Sequence, residues 1–192
     1  MIKKVFLVAA LIVLSFCSFA QWAVDKGHSK PTFTVTHHGI SEVEGYFKKY
    51  DATLTATKDD LSDAVFEINI DAASINTDLE MRDNSLRGED LFDVAKYPTI
   101  HFISTSFKKK QGNQYLMQGN VTIKGITKPI SLDVTMNGPV PNPNANVKGL
   151  QIGIKATGTI NRGDFHIGGG LTNAFVSDEV QIRVTGEFGK TL

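Results

Sequence analysis

Val180-Gln-Ile182-Arg-Val184-Thr-Gly186-Glu-Phe188 sets an apolar or small residue at every second position and a polar one between. Successive side chains of a β-strand point to opposite faces, so this stretch reads as a strand with one apolar face and one wet face. The same alternation holds for Phe33 and Val35, for Phe66, Ile68 and Ile70, for Ile130, Leu132, Val134 and Met136, and for Leu150, Ile152, Ile154 and Ala156. Strands around Val43–Thr57, Thr99–Phe107 and Tyr115–Lys124 bring the set to about eight. Lys124-Gly125 and Gln111-Gly-Asn113 carry hairpin chemistry, whereas Asn137-Gly-Pro-Val-Pro-Asn-Pro-Asn144 is too proline-rich to pair centrally. An even set of antiparallel strands closes or stacks to remove its edges. The expected fold is therefore all-β, an eight-stranded antiparallel barrel.

One stretch interrupts the pattern, Thr77–Lys96. Thr77-Asp-Leu-Glu80 has the form of a capping box, in which the hydroxyl accepts from an orphan amide and the carboxylate reaches back. Leu79, Arg82, Asp83 and Leu86 follow at helical spacing, and a second short helix is expected around Asp90–Ala95. Pro98 disfavours helix at Tyr97 and returns the chain to a strand. A short helical insertion of this kind is placed to lie across one end of a barrel. No repeat of fixed period and no linker divides the chain, so residues 21–192 read as one domain.

Residues 1–20 follow a different logic. Lys3 and Lys4 precede an uncharged run from Val5 to Phe16, with small residues at Ser18 and Ala20, which is the pattern of a secretory signal peptide cleaved before Gln21. The run is short of the roughly 20 apolar residues that a bilayer-spanning helix needs. No other segment comes close, and the mature chain is expected to be soluble and periplasmic or secreted. Cys17, the single cysteine, falls inside the leader and follows Phe16 rather than the small residue that lipidation favours. The remainder has no thiol for a disulfide, a nucleophile or a metal site. With Lys3 and Lys4 removed, the 20 basic and 20 acidic side chains become a slightly acidic balance. That balance lacks the basic stripe of a nucleic-acid partner. Lys108-Lys109-Lys110, the only basic run, reads as a solvated hairpin end.

Strand parity by itself does not say whether the apolar face points in or out. Outer-membrane barrels carry aromatic girdles at both ends of an apolar exterior. Here the only tryptophan, Trp22, stands at the mature N-terminus and the phenylalanines lie mid-strand, which favours an apolar interior. Eight strands enclose a lumen that side chains can fill or that holds one small ligand. Gly45, Gly119, Ala156, Gly158 and Gly186 share the apolar parity where a packed core would take bulk, and are expected to leave room for a ligand.

Among the five histidines, His37 and His38 would face opposite sides of a strand, and no H-x-H or H-E-x-x-H spacing occurs. Neither a metal nor another cofactor is expected. Catalysis requires a nucleophile, base and orienter, or two poised carboxylates. Ser74 and Ser104 have no flanking elbow, and Arg82-Asp83 reads as a helix anchor, so the chain is not expected to be an enzyme.

Several motifs recur in order along the chain: Ala23-Val-Asp-Lys-Gly-His28-Ser, Phe33-Thr-Val35-Thr-His37-His-Gly39, Ala73-Ser-Ile-Asn-Thr77, Arg82-Asp83, Leu91-Phe92-Asp93-Val94, Tyr97-Pro98 and Gly125-Ile-Thr-Lys-Pro129. This succession resembles the YceI-like family of bacterial lipocalin-like barrels that bind polyisoprenoid lipids. The resemblance implies an exported carrier that buries a polyisoprenoid, quinone-like or fatty-acyl chain; a homodimer is compatible with it. A solidly packed barrel acting through its surface in stress is the alternative, and a small-molecule enzyme at the barrel mouth a lesser one.

By strand parity the expected lumen is formed by Phe33, Val35, Phe47, Phe66, Ile68, Phe102, Ile123, Leu132, Ile154 and Ile182, with His37 and Arg162 flanking a polar end. Arg162 has three candidate partners: Asp83, Asp164 or a ligand phosphate. The family pattern there is Asn-Arg, a variable residue, then Asp-Phe-Gly. This chain has Asn161-Arg-Gly-Asp-Phe165-His166, and the histidine is expected to add bulk near the mouth.

Overall fold

The computed structural model describes residues 20–144 and 148–191. The readings of residues 1–20 as a signal peptide and of Cys17 lie outside the described residues, save that the backbone of Ala20 opens the first strand. Ten strands follow in order: β1 (Ala20–His37), β2 (Ser41–Phe47), β3 (Tyr50–Ala56), β4 (Val65–Asp71), β5 (Ile75–Asn76), β6 (Thr99–Lys109), β7 (Gln114–Ile123), β8 (Ile126–Pro141), β9 (Gly149–Asn161) and β10 (Val176–Thr191). Neighbours pair antiparallel, and β10 bonds to both β9 and β1, which closes the sheet.

β2 runs along Thr32–His37 of β1 and β3 along Ala20–Ala23 of the same strand, so the two are halves of one stave broken at Lys48-Lys49. Counted in this way, and with the two-residue β5 set aside, the ring is the expected eight-stranded barrel. Val180, Ile182 and Val184 of β10 face the lumen, which leaves Gln181 and Arg183 on the outer face. The apolar face is the inner one. No helix among the described residues is long and apolar enough to cross a membrane.

Local chemistry sets the joints. Lys124 and Gly125 both take positive φ, 48° and 73°, between the paired Ile123 and Ile126, the two-residue turn that matches strand twist. The proline-rich segment extends β8 to Pro141, but past Thr135 its ladder is with β9 alone and slips between Asn137 and Val140. One-sided pairing is what the missing prolyl N–H groups allow.

The insertion departs from expectation in two places. The helix, α1 (Glu80–Arg87), is capped by the backbone of Leu79, and no capping box forms at Thr77. Asp78 turns left-handed at φ 60°, which carries Thr77 out of line with the helix. The Thr77 amide and hydroxyl instead donate to the buried carboxylate of Asp83, at 2.8 and 2.6 Å. Asp90–Ala95 forms turns rather than a helix: the amides of Leu91 and Asp93 both return to the Gly88 carbonyl, and Asp93 is left-handed.

Antiparallel alternation puts the β3–β4, β6–β7 and β8–β9 connections at one end of the barrel, called the lower end. The β1–β2 turn, the insertion and the 162–175 loop share the other. The lower end is solid, packed with Trp22, Leu54, Leu61, Phe107, Val134 and Ile152, all buried. Phe107 stacks on Tyr115 at 4.6 Å and leans on Phe66 at 5.0 Å. Beneath it, Asp63 ties the β3–β4 turn by accepting from the Thr57 hydroxyl and from the amides of Thr57 (2.9 Å) and Lys58 (3.1 Å). These bonds hold its carboxyl at about 2, below the ordinary 3.8.

Candidate functional site

Above the packed layers the lumen is hollow, with a cavity of about 620 Å³. Its floor lies where the lining stops on each stave: Phe66 on β4, Met117 on β7, Ile154 on β9 and Phe188 on β10. The next inward-facing residues below, such as Leu54, Phe107, Val134 and Ile152, belong to the solid end.

Every residue singled out by parity borders this space. Phe33, Val35 and His37 come from β1, Phe47 from β2, and Phe66 and Ile68 from β4. Phe102, Ile123, Leu132, Ile154 and Ile182 come from β6, β7, β8, β9 and β10, and Arg162 from the loop after β9. Sequence reasoning missed the roof: Met81, Leu86, Leu91 and Phe92 of the insertion and Leu171 and Phe175 of the 162–175 loop also line the cavity. The helical spacing of Met81 and Ser85, which both line the chamber, was the available signal. Met81 and Phe175 line the cavity yet stay 74% and 44% exposed, which puts the mouth between them.

The glycines play a different part from the one expected. A Cβ on Gly45 would lie 2.3 Å from the Phe33 ring, one on Gly119 2.5 Å from Phe102, and one on Gly158 2.6 Å from Leu132. These glycines give their space to lining side chains folded across them, and only Ala156 and Gly186 of the five border the cavity.

Arg162 is buried, and neither Asp83 nor Asp164 is its partner. Its guanidinium donates to the carbonyls of Ile167 (3.0 Å), Gly168 (2.8 Å), Leu171 (2.9 Å), Val176 (3.2 Å) and Ser177 (3.2 Å). It gathers the loop that roofs the chamber, a use suited to five donors in a rigid fork. Arg82 likewise donates to the Thr77 hydroxyl and carbonyl, both at 2.7 Å, so Arg82, Thr77 and Asp83 pin the helix over the barrel end. Ser104 accepts from the Phe66 amide at 2.9 Å and Ser74 donates to the Asp71 carbonyl at 2.6 Å; both are backbone struts. Among the described residues no buried side-chain polar atom lacks a partner.

The histidines also differ from the strand-based reading. His38 leaves β1 at φ 52°, so it does not oppose His37; their rings meet at 4.1 Å and both touch Phe175. His166 is exposed, does not line the cavity, and takes φ 54°, the left-handed backbone that suits glycine. Its bulk therefore stays out of the mouth. Outside the barrel, a register break in β1 folds His28 back onto Asp25 at 2.9 Å, with Glu187 at 4.0 Å. The hydrogen bond that the His28 ring donates to the Asp25 carboxylate raises the imidazole pKa and lowers that of the carboxyl. None of the three lines the cavity, and no sequence spacing signals the trio.

The chain has counterparts among known proteins. Protein YceI of Salmonella arizonae is 34% identical over 169 residues, which cover 87% of this chain and 86% of that protein. The crystal structure of BcnA from Burkholderia cenocepacia superposes with a TM-score of 0.73 at 26% identity, over 85% of this chain and 98% of that one. A polyisoprenoid-binding domain from Saccharophagus degradans shares the fold, with a TM-score of 0.65 at 15% identity over 91% and 99% of the two chains. The model of the YceI-like domain matches residues 22–188, which takes in the closed barrel and the insertion that roofs it, and the chain belongs to the YceI-like family.

Proposed function

We propose that this protein binds one long apolar molecule, a polyisoprenoid, quinone-like or fatty-acyl lipid, in the upper chamber and carries it outside the cytoplasm. The observation that carries the reading is the cavity itself: about 620 Å³, lined almost wholly by aliphatic and aromatic side chains, with a mouth between Met81 and Phe175. Burial supplies the affinity, at about 0.8 kcal/mol for each methylene removed from water. Family membership and the polyisoprenoid-binding neighbour support the same ligand class. Thr77, Arg82 and Arg162 at the upper end are occupied with one another, with Asp83 and with backbone, which suits a binding protein rather than an enzyme.

Mass spectrometry of an organic extract of natively purified protein is expected to show a stoichiometric lipid. Intact mass of the exported protein should begin at Gln21. Ala156→Trp, which pushes an indole into the chamber, should cut lipid uptake at least about tenfold, or 1.4 kcal/mol, while leaving the melting temperature within a few degrees. A folded Ala156→Trp protein carrying an unchanged lipid load would overturn the assignment of the chamber.

A further inference from the structure

Barrel closure brings Asp25, His28 and Glu187 together on the outer wall, where β1 meets β10. Asp25 stands directly across the ladder from Glu187, and two carboxylates in that relation repel each other. The lysines nearest in sequence are turned elsewhere: Lys26 to Asp51 at 3.3 Å, Lys30 over the Tyr46 ring and Lys190 over the Trp22 ring. Among the described residues neither carboxylate has a lysine or arginine partner. What the fold supplies is an imidazole. The register break in β1 leaves residues 26–29 out of the ladder and returns His28 Nδ1 to 2.9 Å from Asp25 Oδ2 and 4.0 Å from Glu187 Oε2. A break of this kind re-aims a side chain. Other bonds fix the loop: the Tyr50 hydroxyl donates to the Ser29 carbonyl at 2.6 Å, and the Glu187 amide to Ser29 Oγ at 3.1 Å.

We infer that Asp25, His28 and Glu187 form a zinc site that clasps the closing seam of the barrel. One donor atom from each residue lies within 4.8 Å of the other two. Zinc bonds of about 2.0–2.2 Å set tetrahedral donors about 3.3–3.6 Å apart. Separations of 2.9 and 4.0 Å close onto such an ion with small side-chain rotations. The ion takes the place of the proton between His28 and Asp25: Nδ1 becomes a ligand through its lone pair, and Nε2 keeps the remaining ring proton. Its charge offsets both carboxylates, and the imidazole nitrogen favours zinc over calcium or magnesium, hard ions that take oxygen. The fourth position opens to solvent. A Cβ on Gly153, across from Glu187 on β9, would meet nothing within 4 Å, so a water ligand has room there. Spacing along the chain offers no such set, because Glu187 comes from the last strand and reaches His28 only when the barrel closes. The site does not depend on what the chamber holds, since none of the three residues lines it.

The test is a calorimetric titration of untagged, metal-stripped protein with zinc chloride, which should show one ion bound per chain. Zinc at about a hundred times Kd should raise the melting temperature by about 5–10 °C. In NMR spectra the His28 ring resonances should shift on zinc addition while those of His101 and His166 stay in place. His28→Gln and Glu187→Gln should each weaken zinc binding at least about tenfold. Both should leave the metal-free melting temperature within a few degrees, since these side chains stand at the surface. Excess calcium or magnesium should change the zinc affinity by less than about twofold. The NMR measurement uses the parent protein and decides the matter if a variant fails to fold. Absence of zinc binding, an affinity unchanged in a folded His28→Gln or Glu187→Gln protein, displacement by calcium, or shifts confined to the other histidines would each overturn the site.

Discussion

The two ends of this barrel are built from the same strands on the same alternation, yet one is solid and the other hollow. On β8, Leu132 lines the chamber and Val134, two residues on, is sealed in the packed end; on β9, Ile154 and Ile152 divide in the same way. The residue types barely differ. What differs is how many large side chains converge at each level, and which connections cover the end. The lower connections are short or paired, and Trp22, Leu61 and Phe107 fill the space between them. The upper end carries, besides the tight β1–β2 and β7–β8 turns, the long insertion and the 162–175 loop, which are held by Arg82, Asp83 and Arg162 as a roof and leave the interior empty. Packing is concentrated below and open volume above, within one closed sheet.

The comparison is broken most directly by truncating one residue at each end. Leu54→Ala, in the packed end, should cost about 3–5 kcal/mol, since the surrounding shell collapses only partly into the void. Ile182→Ala borders an existing void at a partly buried position and should cost about 1–2 kcal/mol, mostly the lost transfer energy of three carbons. Urea unfolding of both variants measures the difference, and equal losses would mean that the chamber is closed in solution.

A smaller effect, about 1–3 kcal/mol, is expected from Arg162→Gln, which strips donors from buried carbonyls of the roof. The variant should lower the melting temperature and weaken a polyprenyl phosphate and its parent alcohol by the same factor. Selective loss of the phosphate would show instead that Arg162 reads ligand charge.

The smallest effect concerns the lower turn. The Asp63 carboxyl is held at about 2 against an ordinary 3.8, so its contribution favours the folded state above the ordinary value and fades as pH falls towards 2. The residue is half-buried at the surface and open to solvent screening, so the change should be modest. Asp63→Asn should lower the melting temperature slightly at neutral pH and flatten its decline across that acid window. A decline as steep as that of the parent protein would assign the acid sensitivity to other carboxylates.

Much of the cavity wall was legible because parity is a local property. Phe33, Phe66, Leu132 and Ile182 could be assigned to the lumen from period-two alternation alone, and all of them border it. Gly45, Gly119 and Gly158 were misread for a reason that is equally physical. An absent side chain marks room, but sequence does not show whether a ligand or the neighbouring Phe33 or Phe102 takes it. The Thr77–Glu80 motif failed because Asp78 turns left-handed and the helix starts late, leaving Thr77 to Asp83 and Arg82. His38 failed because the strand had already ended.

By itself the sequence determined the barrel, the inward direction of its apolar face, the helical insertion and the identity of most lining residues. The barrel, the insertion and the lining follow from spacing along the chain, where side-chain direction repeats with the backbone, and the inward direction from the absence of aromatic girdles. Only the tertiary structure decided where the lumen is filled and where it is empty, where the mouth lies, and that Arg162 is bonded to the roof. Those outcomes depend on the summed volumes and hydrogen-bond partners of residues brought together from all eight staves and both capping segments, and no stretch of sequence contains that sum.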